Sequence, residues 1–356
     1  MRRALALAGR GMGHVHHNPL VVAGLVKNGR ILSQAEHETF GGPHAEVRAL
    51  ERYKEVPPGS TLYVTLEPCD HFGKTPPCTQ LLLQKKVRRI VVAMKDPDPR
   101  VAGRGFSRMK KAGISVKTGV LEHEAKILNR HYLHWVSTHQ PYVTLKMGQS
   151  LDGKIATRSG QSRWITGEAS RRKVQEIRKT ADAILVGVNT VLADDPLLSV
   201  RLQGVKAQPL KVVLDAELKT PSNARIFSKK STGKVLIFVS RRASPSRKKI
   251  LEKKAEIFVV SEVRRGRLDW KAVLNALGKK GVTHLLVEGG GEVAADAIFR
   301  RHAKEIYFFV APLFVGGKQA ISSVGGDGIA RLHEAVRIRK WDARRLGDDL
   351  LFHGFL

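Results

Sequence analysis

Nowhere in this chain do about 18 apolar side chains follow one another, the length a membrane-spanning helix needs. No membrane partner is therefore expected. The opening MRRALALAGRGMGH carries two arginines, but glycine and arginine break its short apolar stretch. It reads as an amphipathic helix over 2–10 rather than a secretory signal, which makes a cytoplasmic location the expectation. Cysteine is almost absent: Cys69 and Cys78 are the only two in 356 residues. A structural disulfide between them would be unusual in that compartment. Acidic residues are scarce, 32 against 62 Lys and Arg, for a net charge of +30. An excess of this size raises anionic partners, either nucleic acid or phosphorylated metabolites. Its distribution argues against the first. Up to Gln140 there are 22 basic and 11 acidic residues, and beyond it 40 and 21, with no basic tail. Aromatic residues, at 6%, do not cluster with the basic ones. No nucleic-acid partner is expected; small phosphorylated molecules are.

The apolar fraction, 42%, suffices to bury cores, and 356 residues exceed one typical core, so two domains are expected. The first part alternates strands and helices. LVVAGLVKNGRILSQAE reads as two strands joined at Asn28-Gly29, a two-residue hairpin signal. Pro43 opens a helix through HAEVRALERY. TLYVTLEP is a strand, followed by a cysteine-bearing loop and a helix from Thr79 to Lys86. Strand RRIVVAMKDP, helix GRGFSRMKKAG, strand ISVKTGV and one long polar helix over 121–138 complete this part. The alternation predicts a largely parallel sheet covered by helices. Gln140-Pro141 is the best boundary, giving domains 1–140 and 141–356. The second part restarts at YVTLKM, then helix EASRRKVQEIRKTA, strands AILVGV, KVVLDAEL, KVLIFVS, EIFVV and THLLVEGG, helix EVAADAIFRR and strand EIYFFVAPLF. Asp194-Asp195-Pro196 is expected to close a buried strand, and 241–249, RRASPSRKK, to be a solvated loop.

The chemistry of the first part gathers at three places: His44-Ala45-Glu46 at a helix start, Pro68-Cys69 at a strand end, and Cys78 where the next helix begins. Zinc takes thiolate and imidazole ligands, and a catalytic zinc keeps three protein ligands with one position open to water. His44, Cys69 and Cys78 supply three such ligands. Two helix N-termini favour thiolate over thiol there. A metal so held lowers the pKa of bound water from about 15.7 to about 7. Glu46, two residues past His44, can accept that proton and pass it to a departing amine. His-x-Glu followed by Pro-Cys is the signature of zinc deaminases, but with two residues between the cysteines rather than the eight here. A structural zinc protein, with His71 as fourth ligand, is the alternative from another class. A nucleic-acid base deaminase with an accessory domain is the other. His14, His16 and His17 are expected to be solvated.

The run CDHFGKTPPC, with GGPHAEV before it, resembles the pyrimidine deaminase half of the bifunctional deaminase/reductase family of riboflavin biosynthesis. His71, Gly73, Thr75, Pro76 and Pro77 reproduce the family's long loop between the cysteines. Asn18-Pro19, His37 and VAGRG at 101–105 also match; the resemblance implies that Asn18, His37 and His71 bind substrate. The chain departs from the family at His17, Val22 and Ser33-Gln34-Ala35, positions that shape a pocket wall.

In the second part, SLDGKIA through DDPLLSVR and the later VEGGGEVAADAIF resemble the reductase half of the same family. Read alone, the three glycines suit anion binding at a helix N-terminus, or simply a tight turn. The resemblance implies a cytidine-deaminase-like three-layer α/β/α domain followed by a dihydrofolate-reductase-like α/β domain, with Zn2+ and NADPH as cofactors. It assigns substrate contacts to Ser162, Arg178, Leu198, Arg201 and Glu288. NADPH contacts fall on Gly148, Trp164, Thr190, Asp194, Gly290, Gly291, Glu292, Val293, Ala294, Ala295 and Asp296. Arg178 and Arg201 are expected to grip a ribose phosphate bidentately. The implied reactions are hydrolytic deamination of 2,5-diamino-6-(5-phosphoribosylamino)pyrimidin-4-one, then reduction of its ribosyl group to ribityl. Family members commonly self-associate, so a homo-oligomer is expected.

Overall fold

The computed structural model describes residues 1–11, 18–39, 41–73, 75–205, 207–228 and 231–356. His14, His16 and His17 lie outside the described residues. The chain folds as two compact units, Met1–His139 and Gln140–Leu356.

In the first unit the elements are α1 (Arg2–Ala8), β1 (Val22–Lys27), β2 (Arg30–Glu36), α2 (Ala45–Leu50), β3 (Thr61–Leu66), α3 (Cys78–Gln84), β4 (Arg89–Met94), α4 (Arg104–Lys111), β5 (Ser115–Lys117), α5 (Glu122–Leu128) and α6 (Arg130–Thr138). The sheet runs β2-β1-β3-β4-β5. β1 pairs antiparallel with both β2 and β3, while β3, β4 and β5 are parallel, so this sheet is mixed rather than largely parallel. Residues that alternate along the strands explain the layers. Leu62, Val64, Ile90 and Val92 pack with Ala49 and Leu50 of α2, Leu82 of α3 and Met109 of α4. Ala93 and Met94 pack with Leu5 of α1 and Ala125 of α5. One face thus carries the helices that bear the motif residues. The polar helix expected over 121–138 is broken at Asn129, which is 2% exposed and spends its side chain on another segment.

The second unit contains β6 (Tyr142–Ser150), β7 (Lys154–Ala156), α7 (Glu168–Thr180), β8 (Ala183–Gly187), α8 (Val188–Asp194), β9 (Leu210–Leu214), β10 (Val235–Val239), α9 (Pro245–Leu251), β11 (Glu256–Val259), β12 (Glu262–Arg264), β13 (Arg267–Leu268), α10 (Trp270–Lys279), β14 (His284–Glu288), α11 (Gly291–Phe299), β15 (Ala303–Ala311), β16 (Ile321–Ser322), β17 (Arg339–Leu346) and β18 (Asp349–Phe355). Its nine-stranded sheet has the order β11-β10-β9-β8-β14-β6-β15-β18-β17. The seven strands from β11 to β15 are parallel, and β18 and β17 add antiparallel at one edge. Both faces are covered, as a parallel sheet requires. Leu185, Val212, Leu236, Phe238, Leu285 and Val287 face α10 and α11. Ile184, Val186, Val213, Ile237 and Leu286 face α7, α8 and α9.

Three expectations need correction. Asp194 ends the helix α8 rather than a strand, because β8 already turns at Gly187. The stretch 241–249 is not all loop: Ser244-Pro245 starts α9, proline fitting a first helical turn. The carboxyl-terminal strands β17 and β18 and the helix α10 were not anticipated. β17 is exposed along nearly its whole length, so it lacks the apolar alternation by which strands are recognised. Among the described residues no helix is long and apolar enough to cross a membrane.

Gly105 shows how tightly the motif-bearing face is built. A Cβ there would lie 2.4 Å from the Pro68 carbonyl oxygen, so α4 meets the strand end before Cys69 backbone to backbone. Gly105→Ala is expected to destabilise the first unit by about 1–3 kcal/mol in urea denaturation. Gly9→Ala, whose Cβ would find its nearest neighbour at 3.8 Å, serves as the control and should cost far less.

Candidate active sites

Three elements of the first unit deliver the sulfur and imidazole ligands. His44 is the N-cap of α2, Cys69 follows β3, and Cys78 is the first residue of α3. Their donor atoms all lie within 4.8 Å of one another. His44 Nδ1 is 3.1 Å from Cys78 Sγ and 3.5 Å from Cys69 Sγ. The Cys78 backbone N–H donates to Cys69 Sγ at 3.4 Å. Both cysteines are free thiols. Hydrogen bonding from Cys78 holds Cys69 down to about 4, and the His44 imidazole adds to this against the effect of burial. The same bond and burial push the Cys78 thiol up. Two sulfurs and an imidazole gathered this closely, with Cys78 buried and His44 and Cys69 half-buried, suit a divalent soft-to-borderline cation. Among the described residues the cluster has three members, and His71 is not one of them.

Glu46 lies on the first turn of α2 and is 3% exposed. Burial, then the Cys69 charge, raises its pKa. Beside His44, His37 is buried and its pKa is lowered, chiefly by that burial. A neutral His37 has one N–H, and Pro43 O is 3.1 Å from Nδ1, so the proton sits there and Nε2 accepts from Asn18 Nδ2 at 2.6 Å. Among the described residues, this is the one side-chain hydrogen bond of Asn18. The His37 and His44 rings meet edge to face at 5.7 Å. His71 Nδ1 is buried without a partner among the described residues.

Two supporting residues were missed from sequence. Asn129 accepts the Leu20 N–H through Oδ1 at 2.7 Å and donates to Leu20 O at 3.2 Å, fixing the Asn18-Pro19 segment two residues away. Glu67 accepts N–H groups from Asp96, Gly103 and Phe106 at 3.0–3.3 Å, which ties the 101–105 turn to the strand end before Cys69. A polar residue inside a helical pattern was the available signal for Asn129. Nothing in its local sequence gave its partner.

The second unit opens a cleft of about 1210 Å³ at the carboxyl ends of its parallel strands. This exceeds the roughly 300–1,000 Å³ usual for one small ligand and leaves room for two. Open α/β sheets bind ligands at this edge. Gly148, Ser162, Trp164, Arg178, Thr190, Asp194, Leu198, Arg201 and Glu288 all line it, as do Gly290, Gly291, Glu292, Val293 and Asp296. Ala294 and Ala295 do not. Ala294 packs in the core beneath α11, and Ala295 is 3% exposed. Gly291 must lack a side chain, since a Cβ would lie 2.4 Å from Ser322 O. Ser162 donates to Asp194 Oδ1 at 2.7 Å, and Arg171 stacks over Trp164 at 4.7 Å.

Arg178 corrects one expectation. Three of its five N–H groups are already engaged: Nε and Nη2 donate to the two oxygens of Glu288 at 2.6 and 2.7 Å, and Nη1 to Ser199 O at 3.1 Å. Lys146 lies 3.4 Å from the same carboxylate. Burial alone would raise Glu288, but the Arg178 and Lys146 charges outweigh it and hold it at about 2. Arg201 keeps the open guanidinium, with no hydrogen bond or ion pair among the described residues. Its pKa is lowered by burial and by Arg178 beside it.

Comparison with known proteins decides what these two sites belong to. Residues 141–352 match the RibD C-terminal domain family, and residues 1–94 match the cytidine and deoxycytidylate deaminase zinc-binding region. The riboflavin biosynthesis protein RibD of Actinobacillus pleuropneumoniae is 40% identical over 99% of this chain and 93% of its own. The chain belongs to the RibD family. RibD of Escherichia coli is 36% identical over 99% of this chain and 97% of its own. Among solved structures, Acinetobacter baumannii RibD superposes with a TM-score of 0.88 at 34% identity, covering 99% of this chain and 97% of that one. The Thermotoga maritima diaminohydroxyphosphoribosylaminopyrimidine deaminase/5-amino-6-(5-phosphoribosylamino)uracil reductase gives 0.85 at 33%, over 100% and 97%. The chain is a bifunctional enzyme of riboflavin biosynthesis, a deaminase and a reductase, using Zn2+ and NADPH and acting on small phosphorylated pyrimidines. Its fold joins a cytidine-deaminase-like unit to a RibD reductase unit, the architecture expected from sequence.

Because Arg178 and Glu288 are both buried, Glu288→Gln leaves a guanidinium without its counter-charge. In urea denaturation it is expected to cost the reductase unit about 3–5 kcal/mol, and adding Arg178→Met should restore much of that. The pH dependence has a definite sign. Glu288 ionises lower folded than its ordinary 4.5, so its contribution is present above 4.5 and fades as pH falls toward 2.

Proposed function

We propose that residues 1–140 carry the deaminase and residues 141–356 the reductase. The reading is carried by one observation: three soft ligands within 4.8 Å of one another and a buried carboxylate two residues from the histidine. His44, Cys69 and Cys78 hold the zinc, which when bound makes a water acidic enough to be deprotonated near neutral pH. Glu46 takes that proton and returns it to the leaving amine. Burial suits it to the task, since a raised pKa brings a carboxyl nearer the working pH. Asn18, steered by neutral His37, presents Oδ1 and N–H to the edge of the pyrimidine. His71, with an unpartnered Nδ1, offers that ring a further polar contact. The first substrate is 2,5-diamino-6-(5-phosphoribosylamino)pyrimidin-4-one. The absence of His71 from the ligand cluster favours the catalytic over the structural reading of the metal site.

In the reductase cleft NADPH supplies the hydride, and the chain's part is to position and exclude water. The turn at Gly290-Gly291, at the N-terminus of α11, offers backbone N–H groups to the cofactor phosphates, and Glu292, Val293 and Asp296 border the cofactor beside it. Gly148, Trp164, Thr190 and Asp194 border the cofactor; Ser162, Leu198, Arg201 and Glu288 border the substrate. Arg201 grips the ribose phosphate, and Arg178 acts by holding Glu288 in place. We also read the chain as cytoplasmic, which two free thiols support, and as a homo-oligomer, which the exposed edge strand with Trp341 at 61% exposure supports.

Glu46→Gln is expected to retain zinc while ammonia release falls at least about a hundredfold, the usual scale of general acid–base catalysis. Reduction of pre-deaminated substrate should continue unchanged. Unaltered deamination with zinc retained would remove Glu46 from the mechanism. Cys78→Ser is expected to lose zinc, measured by metal analysis after dialysis, and full occupancy there would mean that the ligand set is wrong.

A further inference from the structure

The cleft of the second unit runs past the residues already assigned, and a role for its far end rests on reading it as the NADPH site. Beyond Gly290-Gly291 it continues to Leu214 and Ala216 at the end of β9, and then to the β12–β13 hairpin with Arg264, Arg265 and Arg267. β9 lies two strands from β14, about 10 Å at the usual strand spacing. That is the reach of one nucleoside from the phosphate turn.

The hairpin is built to hold its tip still. Arg264 pairs with Arg267, which leaves Arg265-Gly266 as a two-residue turn, and Gly266 takes φ +80°. Glu262 accepts the Gly266 N–H at 2.7 Å, and Arg242 grips both oxygens of the same carboxylate at 3.0 and 2.7 Å. The three cleft-facing arginines differ in what they have to spend. Arg267 is taken by Glu292 and, at 3.1 Å, by Asp296, both on α11. Arg264 meets Asp327 at 3.1 Å, but that carboxylate is 81% exposed, so the pair is weakly held. Arg265 is exposed and makes no hydrogen bond or ion pair among the described residues; Glu217 and Glu262 feel its charge without touching it. Open guanidiniums on a fixed tip, at the far rim of a dinucleotide cleft, match a dianionic phosphate.

We propose that Arg265, with Arg264 exchanged from Asp327, binds the 2′-phosphate on the adenosine ribose of NADPH, and so sets the preference for NADPH over NADH. The reaction's other phosphate, on the substrate ribose, falls to Arg201, which sits among Arg171, Arg178 and Arg225 rather than on the hairpin.

The test is calorimetric titration of the full chain with 2′,5′-ADP and with 5′-ADP, alongside NADPH and NADH. Arg265→Ala should weaken 2′,5′-ADP about ten- to a hundredfold, the worth of a charge-assisted contact. It should leave 5′-ADP and NADH within about twofold. Arg265→Lys should recover part of the loss, because the charge remains without the fork. Equal weakening of both nucleotides, or of neither, overturns the proposal. So does a change confined to the KM of the phosphoribosyl substrate, which would give the hairpin to the other phosphate. An unmodified chain that binds neither dinucleotide would instead overturn the cofactor reading of the cleft itself. The tip is exposed and touches no core, so loss of fold is not expected to obscure the result.

Discussion

Two sulfur atoms, an imidazole and a carboxylate crowded into one buried place set the terms for the whole first unit. With donor atoms inside 4.8 Å, Cys69 and Cys78 cannot both ionise without a compensating positive charge. Left to themselves they share a proton, Cys69 low and Cys78 high. A bound dication removes the conflict and makes both thiolates ligands at once. Everything around the cluster serves to bring its parts together. Glu67 ties three N–H groups to the strand end before Cys69, Gly105 lets α4 close upon Pro68, and the first residue of α3 is itself Cys78. The sheet contributes position, not chemistry.

The second unit solves the opposite problem, how to keep cations open for phosphate in a chain that could neutralise them. Buried Glu288 absorbs Arg178 and Lys146, and α11 absorbs Arg267 through Glu292 and Asp296. Among the described residues, the cleft guanidiniums without a hydrogen bond or ion pair include Arg201 on one side and Arg265 on the other. Parallel strands explain why both face one space: β8, β9 and β14 all end there, and each continues into a turn where the backbone is close to a ligand.

The clustering of His44, Cys69 and Cys78, with Glu46 on the same helix start, was legible because its signal is local. A histidine just inside a helix start and a cysteine just after a strand carry their spacing in the chain itself. The alternating strands of both sheets were legible for the same reason, since burial on two faces writes a continuous apolar run. The break at Asn129 was not, because its cause is Leu20, more than a hundred residues earlier. β17 was not, because an exposed edge strand carries no burial pattern. The Arg178–Glu288 pair was not legible, because the two lie 110 residues apart and only the fold brings them together. Ala294 and Ala295 fall outside the cleft lining because, at 3.6 residues per turn, α11 turns them toward the interior while Glu292, Val293 and Asp296 face the cleft.

The net charge of +30 reads differently once the ion pairs are placed. Of the cations bordering the reductase cleft, Lys146, Arg178 and Arg267 have carboxylate partners within 4.0 Å, so their number says little about attraction for a phosphate. Selectivity depends on which guanidiniums the acidic residues leave unmatched, and acidic residues are the scarcer kind, 32 against 62. In so basic a chain the carboxylates carry the discrimination. Glu288, Glu292 and Asp296 commit Arg178 and Arg267 to the fold by their placement, and leave Arg201 and Arg265 among the guanidiniums available for binding phosphate.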